Sequence, residues 1–290
     1  GQEAEARPRR GGAEADQVQE VCEVRRRLAM ANEEYGEFPE NIFELAFIRG
    51  FREGLPELAE LAETEDWSYQ HTTADHPNPI LTNYVKYTYK RLAEQRKLAI
   101  STDGQRLCFN TGLVTENQEE IFGLFEPNLK KEAKERWFLT GWRKRSDNSL
   151  TSFSKLPDIA QYYDDPTALI YDPRLELRVN IDHIIEDNKD RFPDQFQNLD
   201  AFALKNFLAG AIEAVKERIR RNYKTAIPQY YRGRPQLLLP ICLSNPKTAD
   251  LALAVERFDD HYRASTCLTL DMAYNNARQL ARPDRDWLQP

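Results

Sequence analysis

Asp271, Asn275 and Arg278 recur at i, i+4 and i+7 in the stretch "LTLDMAYNNARQL". On a helix this spacing lines an acid, an amide and a guanidinium along one face, with Met272, Ala273, Asn276, Ala277 and Leu280 on another. The segment begins like a strand, and a strand running straight into a helix sets backbone N–H groups at a helix N-terminus, where anions bind. The chemistry suggested is orientation of a phosphate-bearing ligand. Asp271 is then a catalytic candidate, and Asn275, Asn276 and Arg278 are contact candidates. The structural alternative makes Asp271 a helix N-cap and pairs Arg278 with a surface acid.

A second constellation is "KERIRRNYKTAIPQYYRGR", residues 216–234, with seven basic residues and one acid. It interleaves Arg220, Arg221, Lys224, Arg232 and Arg234 with Tyr223, Tyr230 and Tyr231. Guanidinium forks suit phosphates and tyrosine rings stack on unpaired bases, which fits single-stranded RNA or a nucleotide. The alternative is a solvated helix end, where cations offset the helix dipole.

Two weaker candidates complete the set. In "NIDHIIEDN", His183 and Asp187 stand at i, i+4 and suit acid–base work or part of a metal site. Two ligands fall short of a complete site, so metal ligands stay unassigned and a divalent ion remains open as a cofactor. In "FNTGLVTENQEEI", Asn110 and Thr111 precede Gly112, a polar break that marks a bulge or a close backbone approach in a strand. The chain carries no P-loop, no GxGxxG after a strand, no GxSxG and no HExxH.

These residues must be positioned by a chain of 290 residues, 41% hydrophobic and 11% aromatic, which is enough for a real core. The net charge of −7 argues against attraction of the whole molecule to nucleic acid, so any anion site must be local. Apolar runs such as "QLLLPICL" are far shorter than the roughly 20 residues that span a bilayer. A cytoplasmic protein with no membrane partner is expected. Cys22, Cys108, Cys242 and Cys267 form no CxxC pair and read as reduced structural thiols.

Along the chain, residues 1–15 read as a disordered tail and residues 16–290 as a single α+β domain. Helical patterns over residues 16–35, in "ENIFELAFIRGF" and in "GLPELAELAETE" predict a helical N-terminal layer. "KLAIST", Asp103-Gly104 and "RLCFNTGL" predict a hairpin, and "EEIFGLFEPN" and "RWFLTGWRKR" predict further strands of a largely antiparallel central sheet. "NIDHIIEDN" reads as a short helix capped by Asn180. The longest helix carries the stripe Leu204, Phe207, Leu208, Ala211, Ile212, Val215 and Ile219, and it and the C-terminal helix must pack on the sheet. Three strand candidates, "PQLLLPICL", "ADLALAVERF" and "ASTCLTL", close the pattern.

"FNTGLVTENQEEIFGLFEPN", "IYDPRLELRVNIDHIIEDN", "NYKTAIPQYY", "LLLPICL" and "LTLDMAYNNARQL" together resemble a domain-of-unknown-function family over roughly residues 40–288. In some chains that family accompanies OST-HTH (LOTUS) RNA-binding modules. The resemblance implies an RNA-related context and brings no catalytic residues with it. The combined reading is an RNA- or nucleotide-binding domain, with RNA processing at phosphate or phosphodiester groups as its activity, whether phosphodiesterase or phosphoryl or nucleotidyl transferase. Arg220, Arg221, Lys224 and Arg232 would hold phosphate, Tyr230 or Tyr231 would stack a base, and His183 would move a proton. The rival reading is a non-catalytic module whose acidic surface binds protein partners.

Overall fold

The computed structural model describes residues 38–130, 133–283 and 287–288. The tail over residues 1–15, the helix expected over 16–35 and Cys22 lie outside the described residues. Seven α-helices and ten strands lie among the described residues, so the protein is α+β. The strands divide into two sheets of five, and the chain into two compact units.

The first unit gathers the described residues up to Arg49 with Leu61–Glu63 and Leu92–Ala160. It contains helix α1 (Ile42–Leu45) and strands β1 (Ala46–Phe47), β2 (Ala99–Ile100), β3 (Leu107–Val114), β4 (Glu120–Pro127) and β5 (Trp137–Lys144). The sheet order is β1-β5-β4-β3-β2, antiparallel except for the parallel pair β1 and β5. The β2–β3 hairpin forms as expected from Asp103-Gly104. Gly104 takes φ +70° in the connection, and the Asp103 carboxylate accepts the Gln105 N–H at 3.0 Å. Phe109 stacks on Phe125 with ring centroids 5.7 Å apart and meets Trp142 edge-on at 6.2 Å, which fixes how the strands are filled.

The second unit comprises Gly50–Glu60, Thr64–Arg91 and the described residues from Gln161 onward. It holds most of α2 (Pro56–Leu61) and of α3 (Pro79–Glu94). It also holds β6 (Glu176–Val179), α4 (Ile181–Asn188), α5 (Asp194–Gln197), α6 (Ala201–Arg221) and β7 (Ile227–Tyr231). The chain continues through β8 (Arg234–Ile241), β9 (Leu251–Arg257), β10 (His261–Leu268) and α7 (Leu270–Arg278). The sheet order is β6-β10-β9-β8-β7, with β6 parallel to β10 and the rest antiparallel.

Two devices in this unit follow directly from the sequence. Helix α6 starts at Asp200, whose side chain accepts the Ala203 N–H, and it buries Leu204, Leu208, Ala211, Ile212, Val215 and Ile219. That stripe packs on Leu237, Leu239 and Ile241 of β8 and on Leu251, Leu253 and Val255 of β9, each large side chain contributing roughly 1.5–3 kcal/mol by burial. Phe207, read as part of the stripe, is instead 51% exposed. Strand β7 ends at a two-residue turn in which Arg232 takes φ +48° and Gly233 φ +86°, with Tyr231 paired to Arg234. Two positive φ values in succession make a type I′ turn, whose twist matches the hairpin.

Alternation along the strands sends the neighbours of the α6-facing residues to the opposite face. Helix α7 packs there against β7 and β9 and covers part of that face. The remainder, toward β10, stays polar. Cys108, Cys242 and Cys267 are unbridged, and burial pushes the Cys108 and Cys267 thiols up to about 12, which keeps both neutral near pH 7. No described helix is long and apolar enough to cross a membrane.

Candidate functional site

The sheet face away from α6 carries a transverse row of polar side chains. Gln229 pairs with Gln236 across β7 and β8, and Glu256 with Arg263 across β9 and β10. Leu237 pairs with Val255, so Gln236 and Glu256 are neighbours one step along. Amides tie one end of the row together: Asn276 Nδ2 donates to Gln229 Oε1 at 3.0 Å, and Gln229 Nε2 donates to Gln236 Oε1 at 2.9 Å. At the other end Arg234 donates to the Glu256 carboxylate.

This row is the floor of a cleft of about 940 Å³, at the upper end of the range for small-molecule pockets. Asn83 and Tyr87 of α3, His183 and Asp187 of α4, and Met272, Asn275 and Asn276 of α7 form its walls. Tyr87 and Tyr231 line it while keeping 40% and 43% of their surface exposed, so both rings can receive a planar partner.

A β-bulge shapes the third side. The β9–β10 register shifts between Ala264 and Thr266. The buried Asn188 Oδ1 accepts from Thr266 Oγ1 at 2.9 Å and from the Cys267 N–H at 2.8 Å, while Arg191 Nη1 donates to the Cys267 carbonyl at 2.6 Å. Two polar side chains thus satisfy the Cys267 N–H and carbonyl just past the bulge. The Arg191 side chain is held at the cleft as a result.

Charge is where the cleft departs from the rest of the molecule. Four arginines line it, Arg191, Arg232, Arg234 and Arg263, against two carboxylates, Asp187 and Glu256. Arg234 takes Glu256, and His183 Nε2 lies 3.4 Å from Asp187 Oδ2. Among the described residues Arg191, Arg232 and Arg263 have no carboxylate partner. Arg232 lies over the Tyr231 ring, its guanidinium 5.3 Å from the centroid. No group of three or more His, Cys, Asp or Glu side chains with the spacing to hold a metal occurs among the described residues.

The α7 constellation divides into two tasks. Asp271 is buried and accepts the Gln70 and His71 N–H groups and, at 2.6 Å, the Thr72 hydroxyl; the N-cap of α7 is Thr269. Arg278 forms a two-pronged pair with Glu65, at 2.7 and 2.9 Å, and lies 5.0 and 4.7 Å from the ring centroids of Trp67 and Tyr84. Asn275 Nδ2 donates to the Tyr69 hydroxyl at 2.7 Å and the side chain also borders the cleft, while Asn276 joins the amide floor. The acid and the guanidinium therefore clasp residues 65–72, and the two amides reach the cleft.

The basic run divides as well. Arg220 and Arg221 both pair with Glu217 at 3.2 Å on the exposed last turn of α6 and do not line the cleft, nor does the exposed Lys224. Tyr230 is buried, edge-on to Tyr162 at 4.8 Å with the Arg91 guanidinium 5.2 Å from its ring centroid, whereas Tyr231 and Arg232 line the cleft. His183 is a cleft residue too. Asn110 and Thr111 belong to the other unit, where they serve a bulge in β3. Thr111 Oγ1 donates to the Ile121 carbonyl at 2.7 Å, and Asn110 Oδ1 accepts the N–H of Gly112, whose φ is +73°.

Arg191, Arg263, Gln229, Gln236 and Tyr87 escaped the sequence reading. The available signal was polar alternation: Gln236 and Arg263 are polar residues at positions where a strand with both faces buried would be apolar. A family model described as a domain of unknown function (DUF3825) matches residues 58–287, and the chain belongs to that family. No curated protein and no solved structure matches it.

Proposed function

For this member of the DUF3825 family we propose binding of single-stranded RNA, or of a nucleotide, in the arginine-lined cleft. One observation carries the reading: in a chain of net charge −7, three guanidiniums without a carboxylate partner among the described residues line a single concavity. Guanidinium forks match phosphate oxygens two at a time, and a cleft concentrates their field. Tyr87 and Tyr231 supply stacking surfaces of the kind unpaired bases use, worth about 1–3 kcal/mol per base. The association with OST-HTH (LOTUS) RNA-binding modules that the sequence resemblance implies supports the same choice.

The test is fluorescence anisotropy of a labelled single-stranded RNA titrated at several salt concentrations. Binding with log Kd rising by about 2 per decade of salt is expected, from roughly 0.7 for each of three phosphate contacts. Arg220→Ala with Arg221→Ala should leave that slope and affinity unchanged, because both side chains lie outside the cleft. Absence of saturable binding, or loss of it in the Arg220/Arg221 variant alone, contradicts the reading. Processing is a separate property of the same cleft, and His183 is its proton-transfer candidate. RNA turnover by the wild type with Mg²⁺ present, lost in His183→Gln while binding is kept, would assign it.

A further inference from the structure

The cleft floor contains a carboxylate, which a surface built only for phosphate would exclude. Glu256 Oε1 accepts from Arg234, and among the described residues nothing donates to Oε2. Its row neighbour Gln236 has its Oε1 occupied by Gln229, and among the described residues its Nε2 donates to nothing. Both side chains line the cleft. A charged acceptor and an amide donor therefore stand side by side, fixed by Arg234 on one side and by the Gln229 amide on the other.

A base that satisfies both must present N–H groups next to a carbonyl oxygen. Guanine presents two adjacent donors, N1–H and the N2 amino group, beside the O6 acceptor. Uracil presents one N–H, and adenine and cytosine each turn a ring-nitrogen acceptor toward a carboxylate, which repels it. We propose that Glu256 and Gln236 form a guanine-selective subsite on the cleft floor, a refinement that rests on the nucleotide reading above. Arg263 and Arg232 would hold the neighbouring phosphates.

The charge of Glu256 gives the proposal a sign that a structural role lacks. A carboxylate near phosphates weakens every nucleotide alike, so removing it should strengthen binding of all bases equally unless the carboxylate also reads one of them. The probe is a set of labelled pentanucleotides, AANAA, with guanine, hypoxanthine, uracil or adenine at the centre. Wild-type protein should bind the guanine form about tenfold more tightly than the adenine form, with hypoxanthine, which lacks the N2 amino group, in between. Glu256→Gln should erase that preference, weaken the guanine form, and leave the adenine form equal or tighter. The hypoxanthine comparison uses unaltered protein, so it stands even if the variant folds poorly. Equal affinities across the four wild-type titrations, or uniform tightening in Glu256→Gln, would overturn the subsite and leave the cleft reading intact. Failure of all four to bind would overturn both.

Discussion

Arg278→Ala should destabilise the protein by about 3–5 kcal/mol, the range for removing one partner of a buried ion pair. The Arg278 and Glu65 side chains are 11% and 5% exposed, so truncating Arg278 leaves a carboxylate with neither water nor a counter-charge. The loss also removes a cation that contacts both Trp67 and Tyr84, two buried rings. Arg278→Lys should recover part of the loss, because an ammonium restores the charge without the planar two-pronged fork. Urea unfolding of the three proteins measures it. A change below about 1 kcal/mol for Arg278→Ala would mean that Glu65 finds water or another partner, and that the pair is not what holds residues 65–72 to α7.

The second large effect concerns binding. Arg232→Ala combined with Arg263→Ala should weaken single-stranded RNA by about 100-fold, since each lost charge-assisted contact is worth about 1.5 kcal/mol. The salt slope should flatten by up to about 1.4, roughly 0.7 per phosphate contact. Both side chains are exposed and neither has a carboxylate partner among the described residues, so stability should hardly change. Arg191 is a poorer test, because it also holds the Cys267 carbonyl at the β10 bulge. Anisotropy at low and high salt, with a melting curve for each protein, separates the two effects. Undiminished affinity in the double variant would remove the cleft as the phosphate site.

Apolar patterning carried much of the fold: α6 buries a single stripe, whereas β8 and β9 are buried on both faces and read as continuous apolar runs. The α6 stripe without Phe207, the β8 run "LLLPI" and the Asn180 cap of α4 are each dictated within a single segment, and each occurs in the structure. Pairing between distant segments is not dictated that way. The parallel pairs β1–β5 and β6–β10, and the division of the strands into two sheets, depend on contacts across long stretches of chain. Strand β7 was hidden by its own composition: "IPQYYRGR" looks like a basic tyrosine-rich connection, although Arg232-Gly233 is a two-residue hairpin turn.

The site was legible in residue type more than in place. Residues 216–234 read as one basic patch, yet the run contains a helix end whose Arg220 and Arg221 share Glu217 at i−3 and i−4, and a hairpin tip that enters the cleft. Those helix spacings were in the sequence and argue for local pairing. Arg191 and Arg263, 72 positions apart, meet only because β10 runs beside α4. The α7 residues read as one polar face that orients a ligand, or as a cap and a surface ion pair, whereas the structure divides them between the clasp on residues 65–72 and the cleft amides.

Photo-crosslinking of a 4-thiouridine-labelled single-stranded RNA, with mass spectrometry of the modified peptides, tests most directly whether the cleft is the RNA site. The thiobase reacts with side chains it touches, and aromatic rings that stack on it are favoured partners. Modification concentrated at Tyr87 and Tyr231, the two exposed rings of the cleft, and reduced by Arg232→Ala with Arg263→Ala, is the predicted result. Modification confined to residues 213–224 at the end of α6, or unaffected by the double substitution, would contradict it.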